Sequence, residues 1–336
     1  MTKRVLIIQT AFLGDAILTL PTVQVLKEKN PEWQIDFLCI PAIAILFKHN
    51  PLINNLIIYD KRGNDSFSRI KREVKNNYDI VISPHRSARS SMLAFFSKAK
   101  KRISFDKSSL SFLYTDRVKY VTGIHEIQRN LSLLKPLGIS EENIVKPELY
   151  VSNEEENKIN ELFTLERISN HDDLIAVAPG SVWFTKRYPK EKFSEVLNLL
   201  KNTNSKIFLI GGDADCELGD YLISNSDNKN IINTIGKLNV LESAELIRRC
   251  RVLLTNDSAP LHIANSVGTK VVSLFGATVP QFGFFPYGKD DVIFETEGLV
   301  CRPCSIHGGN VCPVGTFICM HNIKEQAVYE LIIPKT

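Results

Sequence analysis

Short apolar runs recur along this chain, and between them apolar positions return every three to four residues. In the first half the runs cover 5–9, 35–40, 56–59 and 80–83, with helical spacing over 15–29, 42–49 and 67–76. In the second half they cover 174–178, 207–211, 231–234, 252–255 and 271–275, separated by helical patterns over 192–201, 217–224, 243–250 and 260–267. Apolar runs without alternation read as strands buried on both faces. Their alternation with helices predicts an α/β chain with parallel sheets and helices on both faces. The polar stretch 152–173 separates the two series, so two Rossmann-like domains in tandem are expected. Their boundaries are set at 1–160 and 161–322, with a last helical segment over 323–336 placed to cross back onto the first domain.

Open α/β sheets bind ligands at the carboxyl ends of their strands, so the residues just after each run are the candidates for chemistry. After the first run, Gly14 frees the backbone to turn and Asp15 stands at a helix start. A carboxylate there can take a proton from a substrate hydroxyl, or cap the helix. After 174–178 come Gly180, Ser181, Thr185, Lys186 and Arg187, a turn followed by a hydroxyl and two cations. Arginine grips phosphate oxygens as a fork, and lysine acts as a mobile point charge.

After 252–255 come Asp257, Ser258, Ala259 and His262. A strand feeding a helix N-terminus aims several N–H groups and the helix dipole at one spot, which suits phosphate. Ser258 and Ala259 are small enough for an anion to approach the backbone, and Pro260 suits a first helical turn. An ordinary helix start is the plain alternative. At 211–217 Glu217, or next Asp215, offers a carboxylate for a ribose diol, unless this is only a capped surface turn. No G-x-G-x-x-G follows the first run, so a dinucleotide fingerprint is absent.

Length and charge narrow the class. The 336 residues suffice for two cores, and 44% hydrophobic with 23% charged residues is the composition of a soluble globular chain. No apolar run nears the roughly 20 residues that span a bilayer. The basic-then-apolar start reads as a first strand, since Asp15 ends the apolar region early and no small-residue cleavage site follows. A cytoplasmic protein is expected. Residues 61–119 hold fifteen Lys/Arg against five Asp/Glu, a local excess of ten charges in a chain whose net charge is +4. Such a segment favours an anionic partner or is a set of solvated helix faces. Aromatics are not interleaved with these charges, which disfavours nucleic acid.

Four of seven cysteines cluster as Cys301-x2-Cys304-x7-Cys312-x6-Cys319. In a cytoplasmic chain this spacing suggests a structural zinc site, although the second pair is not C-x-x-C. Buried thiols and a redox-labile disulfide are the alternatives. Cys39, Cys216 and Cys250 read as packing residues.

Four motifs, in order, are LGDAI at Leu13–Ile17 with Pro21, PGSVWFTKRYP at 179–189, TNDSAPLHIA at 255–264, and LFGAT at 274–278 followed by Pro280. Together they resemble the ADP-heptose:lipopolysaccharide heptosyltransferases of glycosyltransferase family 9, and the PGSVW…KR form is most similar to the heptosyltransferase II branch. The resemblance implies a GT-B fold, two Rossmann-like domains with sheets facing a central cleft, the second binding the nucleotide sugar and the first the acceptor. It implies inverting transfer of a heptose to the inner core of lipopolysaccharide, with Asp15 as general base and Lys186 neutralising the diphosphate leaving group. Gly14, Ser181, Thr185, Arg187, Glu217, Asp257, Ser258, Ala259 and His262 would then contact substrate. Ala259 stands where the family often has glycine, and its methyl narrows the approach of phosphate.

Pre-organised charge can replace a divalent metal, so no cofactor is required, and a structural zinc is one option for the cysteines. The implied partners are ADP-heptose, a lipid A–inner core acceptor and the inner face of the cytoplasmic membrane. A nucleotide-sugar epimerase of the same fold and a two-lobed α/β binding protein are the rival readings.

Overall fold

The computed structural model describes residues 2–333 apart from 62, 64, 65 and 142. Contacts divide the chain into two compact units, Met1–Tyr150 and Val151–Thr336. The first holds β1 (Arg4–Ile8), β2 (Gln34–Cys39), β3 (Asn55–Ile58), β4 (Ile80–Ser83), β5 (Lys101–Phe105) and β6 (Asp116–Val118) in the order β3-β2-β1-β4-β5-β6. The second holds β7 (Asp173–Ala178), β8 (Ser205–Leu209), β9 (Ile231–Asn233), β10 (Val252–Asn256), β11 (Lys270–Phe275) and β12 (Val292–Glu295) in the order β12-β11-β10-β7-β8-β9. Every pairing is parallel.

Counted from its own first strand, each sheet has the doubly wound order 3-2-1-4-5-6. The winding reverses between β1 and β4 in one unit and between β7 and β10 in the other. At such a reversal the two crossover loops diverge and leave a crevice at the carboxyl ends. The central strands that flank it are buried almost throughout, which is why their sequences are continuous apolar runs.

Three strands escape the apolar-run criterion: β5 (KRISF), β6 (DRV) and β12 (VIFE). β6 and β12 are sheet edges, half-buried at most residues, so polar side chains are tolerated there. The helical pattern 15–29 divides into Leu13–Ile17 and Leu20–Lys29. Pro21 has no N–H to bond the carbonyl of Ile17 and its ring crowds that oxygen, so a single continuous helix is broken there.

The polar stretch expected as a linker is a helix, Asn153–Leu165, and the boundary falls at 150/151 instead of 160/161. Its capping box joins Ser152 and Glu155, and its buried stripe is no wider than Glu155 and Ile159. It packs on Val240–Arg249, where Arg249 donates to Asn160 Oδ1 (2.6 Å) and lies over the Phe163 ring. The last helix, Glu325–Ile332, packs on Lys190–Leu199 of the second unit through a Lys192–Glu325 ion pair and the buried Val328 and Ile332. Among the described residues no helix is long and apolar enough to cross a membrane.

Candidate active site

Each unit has a polar constellation at its own sheet reversal. In the first, Gln9 follows β1 and is 3% exposed, yet every polar atom of its side chain is used. Its amide donates to Thr19 Oγ1 (3.0 Å) and accepts from the Ala11 N–H (3.2 Å), while Thr19 donates to the Asp15 carbonyl (2.8 Å). These bonds pin both ends of the short helix Leu13–Ile17. Phe12 is the cap residue, so Asp15 lies inside the first turn and is half-buried.

Groups from other strand ends surround this loop. Lys61, after β3, donates to the Thr10 carbonyl (2.6 Å), and Thr10 Oγ1 bonds His85 Nδ1 (2.8 Å) after β4. Burial, then the charges of Lys61 and Arg86, push His85 down to about 4, so the ring is neutral at pH 7. Burial and Arg89 lower Lys61. Lys61, Arg86 and Arg89 thus share one positive field at the β1/β4 reversal.

Other cations of the basic segment do structural work instead. Arg102 donates to the carbonyls of Leu113 and Ala99, and Lys71 lies over the Phe96 ring.

A second set was not visible in sequence. The helix Glu126–Ser132 begins at His125, whose Nδ1 accepts from the Ile127 N–H. Arg129 is 1% exposed; it pairs with Glu126 and donates to the carbonyls of Val121 and Ile124. Burial raises Glu126 to about 7; Arg129 opposes this and the Asp15 charge adds to it. Asn130 donates to the Leu18 carbonyl (3.1 Å), tying this helix to the end of the Asp15 helix.

Protonation of His85 gives a direct check. Its folded value lies below the unfolded value of 6.5, so the unfolded chain binds the extra proton. The stabilisation from His85 is therefore complete above 6.5 and is lost as pH falls toward about 4. An NMR titration should show one imidazole that stays neutral down to pH 5 and disappears in His85→Gln. A His85 signal titrating near 6.5 would contradict the half-buried, hydrogen-bonded ring.

In the second unit Asn256, at the end of β10, is fully buried and spans the reversal. Its amide donates to the Pro179 carbonyl (2.8 Å) and accepts from the Tyr188 N–H (2.9 Å), fixing the loop after β7 at both ends. Arg187 donates to the Ser181 carbonyl (2.6 Å). Lys186 Nζ stands 2.6 Å from Asp257 Oδ2, and Thr278 donates to the same oxygen (2.5 Å). The lysine and aspartate side chains are 15% and 6% exposed. Asp257 therefore holds Lys186.

Next to Asp257, Ser258 stands at the start of the helix Ala259–Val267 without a side-chain cap bond, and the Leu261 N–H already donates to the Ser258 carbonyl (3.1 Å). His262 is one turn further in, 4% exposed and against Phe284, behind the helix start. Asp215 packs on the turn at Gly180, where any Cβ would meet its carboxylate at 2.3–2.5 Å. Glu217 is exposed in the first turn of the helix Cys216–Ser224.

Residues 67–309 match the model of glycosyltransferase family 9 (heptosyltransferase). The chain belongs to this family. Lipopolysaccharide heptosyltransferase 3 of Escherichia coli K12 is 29% identical over 79% of this chain and 80% of its own length. A family 9 glycosyl transferase of Veillonella parvula superposes with a TM-score of 0.85 at 26% identity, covering 98% of this chain and 96% of that one. The E. coli ADP-heptose lps heptosyltransferase II superposes at 0.79 with 20% identity, covering 98% and 97%. The fold is therefore GT-B and the protein a glycosyltransferase. Likeness is not confined to the second branch, since the type 3 relative shares more residues than the type II structure.

A cavity of about 710 Å³ lined by Lys3, Lys29, Trp33 and Lys101 opens at the amino ends of the first sheet, the edge opposite Asp15. The zinc site expected at Cys301, Cys304, Cys312 and Cys319 is not assembled: among the described residues no three His, Cys, Asp or Glu side chains are arranged to hold a metal ion. The Cys304 thiol bonds the Cys301 carbonyl (3.2 Å), and burial pushes Cys319 up to about 11. Burial also acts to raise Cys312, but N–H groups of Phe317, Val314, Gly315 and Thr316 outweigh it and lower that thiol.

Proposed function

We propose that this family 9 enzyme transfers a heptose from ADP-heptose to the inner core of lipopolysaccharide with inversion. The observation that carries the reading is Lys186, fixed by the buried Asp257 beside the helix start at Ser258 and Ala259. This is a pre-built positive site at a sheet reversal, where the departing diphosphate gains most from charge that needs no reorganisation. Asp257 acts on the diphosphate only through Lys186, because an unpaired carboxylate there would repel the phosphates. Arg187 and the N–H groups of Ser258 and Ala259 complete the cradle, with Ser181 and Thr185 as hydroxyl donors and Glu217 on the ribose diol. His262 backs the helix start.

In the first unit Asp15 takes the proton of the acceptor hydroxyl as its oxygen attacks the anomeric carbon, and the anomeric bond to ADP breaks as the new glycosidic bond forms. Gly14 leaves the neighbouring backbone open to the sugar. The field of Lys61, Arg86 and Arg89 suits a phosphorylated acceptor. The same charges favour the anionic inner face of the cytoplasmic membrane by attraction without insertion.

The test is nucleotide release from ADP-heptose, UDP-glucose and UDP-N-acetylglucosamine, each with and without heptose-deficient lipopolysaccharide. Release is expected only when ADP-heptose and acceptor are both present. Turnover of ADP-heptose without acceptor, or of a UDP-sugar in its place, would replace this reading with an epimerase or another donor class.

A further inference from the structure

The segment between β12 and the helix Ile318–His321 carries three of the clustered cysteines and has no regular secondary structure. Irregular stretches of this length in compact domains are commonly functional. This one is bonded to the turn that presents Lys186. The Thr185 N–H donates to the Gly309 carbonyl (2.9 Å), and the Gly309 N–H donates back to Thr185 Oγ1 (2.8 Å). Thr185 is 2% exposed, so these groups have exchanged water for one glycine 124 residues away.

The remaining contacts continue the same tie. The Thr185 carbonyl accepts from the Ala277 N–H (3.3 Å), and the Ala277 carbonyl accepts from the Cys304 N–H (2.9 Å). Phe184 stacks on Phe317 with ring centroids 5.3 Å apart. Gly308 has φ +86°, and a Cβ there would stand 3.1 Å from Lys186 Cγ and 3.2 Å from Thr185 Oγ1. The lysine stem thus runs over a left-handed backbone position where a methyl group would be strained and would push its neighbours by a few tenths of an ångström.

We propose that Gly308 and Gly309 are positioning residues for Lys186, so that the cysteine-bearing segment sets the affinity of the donor-diphosphate site. The inference rests on the donor-site reading above. Asp257, itself bonded by Thr278, fixes the ammonium end of the lysine, while Gly309 holds the preceding residue Thr185 and Gly308 lies against the lysine stem. A lysine held at both ends keeps its charge in place without ordering at the moment of binding.

The experiment measures ADP binding by calorimetry, kcat with KM for ADP-heptose and for the acceptor, and thermal melting for the native chain, Gly308→Ala, Gly309→Pro and Gly309→Ala. Gly308→Ala adds a strained methyl against Lys186, and Gly309→Pro deletes the N–H that reaches Thr185. Both should weaken ADP binding by about tenfold to a hundredfold, the scale of a charge-assisted hydrogen bond, with the acceptor KM unchanged. Gly309→Ala keeps both backbone bonds and meets only the Val311 carbonyl at 3.7 Å, so it should restore near-native binding.

A Lys186→Ala background separates positioning from general damage. There Gly308→Ala should cost no further ADP affinity. Equal losses in both backgrounds, or native ADP binding in Gly308→Ala, would overturn the inference while leaving the donor site intact. Failure of the native chain to bind ADP would remove the donor-site reading and this inference together.

Discussion

Asp15→Ala is expected to lower turnover by about 10²–10⁴-fold, the usual worth of a positioned general base, while ADP-heptose binds as in the native protein. The separation of the two effects follows from where the residues lie. Asp15 belongs to the first sheet reversal, whereas the cations assigned to the diphosphate belong to the second. Asp15→Asn should behave alike, because it keeps the shape of the helix turn and loses only the basic group. Calorimetry with ADP-heptose and steady-state release of ADP measure the two quantities. Unchanged turnover in Asp15→Asn would end the assignment, and loss of donor affinity would move Asp15 into the donor site.

Lys186→Ala should damage both catalysis and stability. Removing a pre-organised stabiliser of developing charge lowers kcat by about 10²–10³-fold. It also strips the cation from the Asp257 carboxylate, whose side chain is 6% exposed, and leaves the Thr278 hydroxyl on its Oδ2. Breaking a buried ion pair on one side costs about 3–5 kcal/mol. Lys186→Met combined with Asp257→Asn should recover most of the melting temperature and none of the turnover, because it removes the stranded charge without restoring the cation. If Lys186→Ala melts with the native chain, the pair is not structural. If the double variant regains activity, the lysine is not the leaving-group cation.

How much could be read in advance depended on what kind of contact defines each element. The runs at β1, β4, β7 and β10 are legible because strands covered on both faces must be apolar at every position. The edge strands β6 and β12 are not, since half of each is wet. Helix Asn153–Leu165 reads as a linker because its inner stripe includes Glu155, a carboxylate used in its own cap. Asp15 and Lys186 could be nominated because each directly follows a recognisable strand, and position after a strand is a local property. The loops holding Lys61 and His85 also follow strands, but their bonds to Thr10 span 51 and 75 residues and no spacing encodes them.

Apolar periodicity and short motifs were thus enough for an α/β chain with parallel sheets, for the family, and for nominating the loops that are candidates for chemistry. Tertiary structure alone decided how that chemistry is held. It paired Asp257 with Lys186, set Glu126 against Arg129, placed Gly308 under the lysine stem and bonded Gly309 to Thr185. It also kept the four cysteines from gathering as metal ligands. The physical reason is reach: periodicity reports whether a side chain faces a core, whereas the charge and orientation of a polar group are set by partners that chain folding brings from distant strand ends.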